Sequence, residues 1–414
     1  MKLKNRILIW SAIIFLAVPA LCYSAAGDYK ITNDGTAYSY SAVTKTNPIN
    51  VKHPSYGAKG DGATNDTAAI NAASAALTTN STLYFPNGHY MLTGVWGIID
   101  KSNITIEGES KEGTIIDSSG TATLSAPGAL CPQGAYGTLT IDSSSNTTNG
   151  YVHDITLKNI TIKSSISNPG TIQQKTIFIG YVSDFRMENC VIYGGYNEAV
   201  HHFQYSGKYN TNLTFRNNKF IGQSGIGGSQ LNTNTSRTTT VNVENNTFWQ
   251  SPTIGIHLSS LDNHVIGNRL YGPMQVGILF GDGVGCGYPT EVLGNKIYNL
   301  GQGSGLSGIK GISWVGEANE NGVLIEGNLI YGLYKGATAI SISGNAFIKG
   351  NMISSVMDAT GNNYGIVISE PGSGSLSGEN MQIYLSANII EKTANVNKFA
   401  SGIQVQQSSN IPNA

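Results

Sequence analysis

From about residue 185 the chain repeats one pattern: apolar residues at alternate positions, then Asn, any residue, an apolar residue, any residue and often Gly. The pattern appears as LTFRNNKFIG (213–222), VNVENNTFWQ (241–250), HVIGNRLYG (264–272), EVLGNKIYN (291–299), VLIEGNLIYG (323–332), FIKGNMISS (347–355) and IYLSANIIEK (383–392). These segments align Asn218, Asn246, Asn268, Asn295, Asn328, Asn351 and Asn388, and FRMENCVIYG (185–194) fits the frame with Cys190 in the Asn slot. A shorter signature runs between them, a small residue followed by alternating apolar positions, as in GIHLS (255–259), GILFG (277–281), GISWV (311–315) and AISIS (339–343). Alternation with period two over a few residues predicts short strands with one face buried.

The small residues of that signature fall at 199, 225, 255, 277, 311, 339, 365 and 402, so successive units start 22 to 37 residues apart. A propeller blade needs about 40–45 residues, and a leucine-rich repeat brings a helix with each unit. Neither fits. Coils of three short strands, joined by turns of variable length and stacked on one another, do fit. The predicted fold class is therefore all-β: a single-chain parallel β-helix, a solenoid of roughly eleven coils and about 50 Å long at the usual strand spacing. The recurrent Asn marks the bend between the second and third strands. It can act there as an independent turn residue that tolerates left-handed backbone, or as one step of an amide ladder running up the stack.

A stack of this kind leaves an unpaired strand row at each end. At the N-terminus, DTAAINAASAAL (66–77) predicts a capping helix with Asp66 as N-cap and Ile70, Ala73 and Leu77 on its apolar stripe. Toward the other end, GIQVQ (402–406) begins a further coil that is not finished, which leaves open a shortened chain or an end covered by a partner.

The opening of this region, NVKHPSYGAKGDGATNDTAAINAASAA followed by LYFPNGHYML and NITIEGES, carries Tyr56-Gly57-Ala58-Lys59-Gly60-Asp61-Gly62, Asn65-Asp66-Thr67, Phe85-Pro86 and Gly88-His89-Tyr90. It resembles the opening of pectate-lyase-superfamily proteins related to glycoside hydrolase family 28, including rhamnogalacturonase-like, epimerase-like and phage tailspike β-helices. The resemblance implies a right-handed, pectin-lyase-like helix with a carbohydrate-facing groove along the first strand of each coil. It does not fix a reaction, because this fold hosts hydrolases, lyases, epimerases and inert adhesins. The Asn-Thr-Asp, Gly-His-Gly and Arg-Ile-Lys signatures of the polygalacturonase branch are absent, as is the epimerase-like Asp-Pro-His. No catalytic residue is carried over.

The start of the chain changes the picture of where the protein works. Lys2, Lys4 and Arg6 precede an apolar run from Ile7 to Leu21 and the small residues Ser24-Ala25-Ala26, the order that marks a secretory signal. The expected organisation is a signal peptide (1–26), an N-terminal extension (27–50) and the β-helix (51–414), in a secreted protein with no membrane span once processed. Processing leaves 21 basic against 25 acidic residues, a net charge of −4. A weakly acidic chain has no electrostatic reason to seek nucleic acid. Cys131, Cys190 and Cys286 remain, which allows at most one disulfide. Nothing calls for a cofactor or a metal, and the oligomeric state is not legible.

Candidate chemistry follows from the strand register. Ile256, Leu258, Ile278, Phe280, Ile312 and Trp314 should point inward. The outward column of the first strands should then run Phe178, His201, Gly227, His257, Leu279, Ser313, Ser341, Val367 and Gln404. On this register GIGGSQ (225–230) lies between His201 and His257, and its small residues would leave a dent between two histidines about 10 Å apart. Asp282 and Glu317 follow on the next turns. His201, His257, Asp282 and Glu317 are the candidate acid–base residues, and Gln230, Tyr205 and Asp262 the candidate substrate contacts. Each has a plainer reading: exposed strand histidines, a turn aspartate in Gly-Asp-Gly-Val-Gly, a solvated loop glutamate. His202 should face the core. The leading expectation is an enzyme that cleaves a uronate-containing or related glycan, by hydrolysis through two neighbouring carboxylates or by β-elimination through a base beside a cation. The alternative is a non-catalytic carbohydrate-binding or surface-adhesion protein.

Overall fold

The computed structural model describes residues 29–33, 38–42 and 48–406, apart from 121–135, 143–151, 165–173, 181, 195–197, 204–210, 223–229, 234–239, 251–252, 259, 261, 281–289, 303–307, 316–321, 335, 357–362, 370–381 and 392–398. It divides into two units, Met1–Lys45 and Thr46–Ala414. In the first, Tyr29–Asn33 pairs antiparallel with Tyr38–Ala42. The expected signal peptide lies outside the described residues.

The second unit is a right-handed parallel β-helix whose strands fall into three sheets of 11, 12 and 12 strands. The first sheet runs from Trp96–Ile99 to Phe399–Gln406, the second from Pro48–Asn50 to Ile383–Ser386 and the third from Asp61–Asn65 to Ile389–Ile390. Each strand pairs in parallel with its counterpart one coil away, as in Val276–Phe280 beside Lys310–Val315. The inward positions fill the bore. Ile256, Leu258, Ile278, Phe280, Ile312 and Trp314 are all buried, as expected, and Phe220 and Phe248 stack at 4.6 Å on neighbouring coils. His202 is among the inward residues and fully buried. Burial, followed by the nearby charge of His201, depresses its pKa to about 3, so it sits in the core uncharged.

The Asn residues form a ladder. Asn218 Nδ2 donates to Asn246 Oδ1 (3.1 Å), and the same link joins Asn246 to Asn268, Asn268 to Asn295, Asn295 to Asn328, Asn328 to Asn351 and Asn351 to Asn388. Each of these oxygens also accepts from the backbone N–H of the preceding Asn, and each Nδ2 also donates to a strand carbonyl one coil back, Met187 O for Asn218 and Val243 O for Asn268. The amides are thus satisfied in a dry interior, where an unmade bond would be costly. Cys190 holds the Asn slot: its backbone N–H donates to Asn218 Oδ1, while its thiol lies 3.7 Å from Leu157 O. Cys190 is free, and burial pushes its pKa up to about 12.

The turn reading of these Asn is displaced by one residue. The left-handed conformation belongs to the residue before each rung: Asn189, Asn217 and Asn245, then Gly267, Gly294, Gly327 and Gly350, and finally Ala387 at φ 52°. The labour is divided. One residue makes the bend, and the next inserts its amide into the stack.

The capping helix spans Thr67–Ala75, with Ile70, Ala73 and Leu77 buried beneath it. Asp66 occupies the N-cap but makes no side-chain cap bond. Its carboxylate instead accepts from the backbone N–H of Lys59 (2.7 Å) and Gly60 (3.0 Å), tying the Lys59-Gly60 turn to the helix start. On the second sheet, a column of alternating charge runs Glu107, Lys158, Glu188, Arg216 and Glu244 on successive coils. Its members meet at 3.3 Å (Lys158–Glu107) and 2.8 Å (Arg216–Glu244). No helix among the described residues is long and apolar enough to cross a membrane.

Candidate functional site

The outward column of the first sheet runs Gly97, Thr140, Phe178, His201, Asn232, His257, Leu279, Ser313, Ser341, Val367 and Gln404. It matches the expected order with one correction. The strand between His201 and His257 is Gln230–Thr233, so Asn232 and not Gly227 fills that rung. Leu231 pairs with Val200 on one side and with Ile256 on the other, which continues the apolar register through this strand.

The face is also drier than expected. His257, predicted to point to solvent, is buried at 5% exposure, and Phe178, Ser313, Ser341 and Val367 are buried with it. His201 is the titratable group of this column that keeps contact with solvent, its side chain 18% exposed. Its ring stacks on Phe178 with centroids 5.9 Å apart. Its Nδ1 lies 2.7 Å from Glu198 Oε2, and the same oxygen receives Lys175 Nζ at 2.5 Å. Lys175 and Glu198 are both buried.

Sequence reasoning missed Glu198 and Lys175. On a regular strand, residues three apart lie on opposite faces, and Glu198 should have shared the inward face with Val200 and His202. The register slips here: two residues from Glu198 to Val200 face the single step from Gln230 to Leu231. This bulge turns the carboxylate round to His201. Burial alone would raise the Glu198 pKa. The hydrogen bond with His201, the charge of His201 and that of Lys175 outweigh it and hold the carboxyl at about 2. Asp142 is a second missed carboxylate, buried two coils before His201 on the same sheet, with its Oδ1 where a Cβ on Gly180 would come within 2.7 Å. It precedes the Asn-marked coils that guided the register.

Of the other candidates, Gln230 stays beside this site and Asp262 does not. Asp262 begins a strand of the second sheet, where His264 Nε2 meets its Oδ1 at 3.1 Å and Thr240 Oγ1 donates to its Oδ2. His264 Nδ1 meets Glu291 Oε2 at 2.9 Å, so Asp262 belongs to a surface ion cluster on another face and not to the His201 column. Gln230 opens the strand beside Glu198. Asp282, Glu317 and Tyr205 lie outside the described residues. Among the described residues, no group of three or more His, Cys, Asp or Glu is placed to hold a metal ion.

The model of the family described as rhamnogalacturonase A/epimerase, pectate lyase-like, matches residues 48–269, more than half of the chain. The chain belongs to this family. The fold is also that of the mannuronan C-5 epimerase AlgE6 A-module of Azotobacter vinelandii, with TM-score 0.54, 16% identity, and coverage of 88% of this chain and 100% of that one. The family 28 exopolygalacturonase of Yersinia enterocolitica is similar at TM-score 0.52 and 11% identity, covering 89% and 79% of the two chains. At these identities the likeness is one of fold. No curated protein matches the sequence.

Proposed function

We propose that this chain is an exported polysaccharide-active protein that works along its first-sheet face, with His201 exchanging a proton with the sugar. The observation that carries this reading is the Lys175–Glu198–His201 chain of contacts. A carboxylate 2.7 Å from one ring nitrogen orients the imidazole and leaves the other nitrogen to face a proton on the substrate, which is the arrangement a positioned base needs. Glu198 itself is a poor general acid. With a pKa near 2 it has no proton to give at neutral pH, whereas glycoside hydrolysis needs one carboxyl pushed upward. With Glu198 spent on Lys175 and His201, the described residues of this column offer a histidine base, which suits proton abstraction next to a uronate carboxyl group, followed by β-elimination. Family membership and the signal-like start of the sequence support the polysaccharide and export parts of the reading.

A binding-only protein is the second reading, and one observation favours it. Beyond His257 the column continues as Leu279, Ser313, Ser341, Val367 and Gln404, with no titratable side chain. Incubation with a panel of plant, algal and bacterial glycans, followed by reducing-end and unsaturated-uronate assays, separates the two. Release of unsaturated product that is lost in His201→Ala supports elimination. Retained binding with neither signal on any glycan supports the binding protein.

A further inference from the structure

The third sheet shows an outer face unlike the other two. Trp249, Tyr271, Tyr298 and Tyr331 occupy the same position on four successive coils. Tyr271 and Tyr298 stack at 5.0 Å with planes 9° apart. The two outer rings lean out of this stack, Trp249 by 41° against Tyr271 and Tyr331 by 60° against Tyr298. They are also the most exposed, at 43% and 40%. Two residues earlier along the strands, and so on the same face, a second column runs Lys219, Thr247, Arg269, Lys296 and Leu329; the last four stand on the strands of Trp249, Tyr271, Tyr298 and Tyr331, and Lys219 on the strand one coil before them. All three cations are exposed, and among the described residues none is held in an ion pair.

The strands of this sheet from Thr161–Lys163 to Met352–Val356 contain no Asp or Glu at all. The acidic residues of this sheet, Asp61 and Asp117, lie on its first strands. The charged residues of the second sheet are paired off with one another, as in Lys158–Glu107, Arg216–Glu244 and Lys349–Glu326. On the third sheet Lys163 meets Asp117 at 3.7 Å, but Lys219, Arg269 and Lys296 are left to solvent beside a stripe of aromatic rings, whose apolar area on display is a mark of binding surfaces.

We propose that this face is a second polysaccharide site, which takes an anionic glycan lying along the stack. Tilted aromatic rings offer the apolar platforms on which sugar faces rest, and their hydroxyl and indole N–H groups stay at the wet edge. The cations sit one column over, where the carboxylates of such a chain project. The coil spacing of about 4.8 Å is close to the length of one pyranose in an extended chain, so a linear glycan stays in step with the rungs from Lys219 to Tyr331. A single-stranded nucleic acid fits less well. It needs rings separated enough to receive a base, and Tyr271 and Tyr298 are closed against each other at 5.0 Å. The proposal concerns a different sheet from the His201 site and does not rest on the reading given for that site.

The test is affinity electrophoresis and titration calorimetry of the whole protein with polygalacturonate and alginate as probes, with neutral dextran and single-stranded DNA as comparators. The expected result is binding to the two polyuronates, none to dextran, and an affinity that weakens with salt. Lys219→Ser/Arg269→Ser/Lys296→Ser should lower that affinity at least tenfold, and Trp249→Ala/Tyr331→Ala should do so independently. All five side chains are exposed, so the thermal midpoint should stay near that of the parent. Lys349→Ser, which removes an exposed cation from the second sheet, should bind as the parent does. Unchanged affinity in both third-sheet variants, loss of affinity in Lys349→Ser, or tighter binding of DNA than of either polyuronate would each overturn the proposal.

Discussion

His201 Nδ1 lies 2.7 Å from Glu198 Oε2, although a regular strand places residues three apart on opposite faces. The bulge at Glu198–Val200 is the cause, and it brings Lys175 into the same contact. The three side chains act as one electrostatic unit.

Glu198→Gln removes the charge that balances a buried Lys175. Breaking one side of a buried ion pair costs about 3–5 kcal/mol, whereas replacing both sides by apolar groups costs far less. Urea unfolding of Glu198→Gln should show that loss, and Glu198→Leu/Lys175→Met should recover most of it. Equal losses in the two variants would mean that Lys175 is balanced by something else.

Acid should weaken the fold in two stages. His202 has a folded pKa of about 3 against an ordinary 6.5, so its contribution is complete above pH 6.5 and drains away as pH falls toward 3. Glu198, at about 2 against 4.5, contributes fully above pH 4.5 and loses its share between 4.5 and 2. Thermal midpoints should begin to fall just below pH 6.5. In His202→Gln the midpoint should stay level until about pH 4.5; a curve that bends at 6.5 in the variant as well would assign the first stage to another group.

The ladder should be worth most in its middle. Asn268→Ala leaves the backbone N–H and Nδ2 of Asn246 and the carbonyl of Val243 without their partner, at a cost of about 3 kcal/mol or more. Asn388→Ala, at a rung that is partly open to solvent, should cost less than half as much. Cys190→Asn should add a rung: its Nδ2 could donate to Asn218 Oδ1 and to Leu157 O, raising stability by about 1 kcal/mol. A lower melting point in Cys190→Asn would show that the slot is too tight for an amide.

Ala387 holds a left-handed backbone that the preceding coils give to Asn or Gly. Ala387→Gly should relieve the clash of its Cβ and stabilise the last rungs by about 1 kcal/mol. Amide hydrogen exchange at Ile389 and Ile390 should slow in parallel, and unchanged exchange would count against the strain.

Much of this fold was legible because the repeat is written in residues that have one job each. An inward Ile or Phe must recur every coil, and an Asn in a sealed stack must meet another Asn. The missed features lie where that rule is broken. Gln230–Thr233 carries a single apolar residue, and its place is set by Val200 and Ile256 on either side, not by its own pattern. Glu198 was hidden because a one-residue bulge reverses the facing of everything before it. The burial of His257 was not legible, because strand alternation tells which face a residue takes and not how much of that face meets water. The candidate site was therefore half readable: the column was visible, but not which of its members meets water.

The alternating charges of Glu107, Lys158, Glu188, Arg216 and Glu244 bear on a hazard peculiar to chains of near-identical units. A segment that docks one coil out of place would still bury its isoleucines and still find an amide for its asparagine, so apolar matching alone does not reject the error. It would, however, set glutamate against glutamate. The column thus works as a count kept along the stack, by which each new turn is checked against the one already laid down.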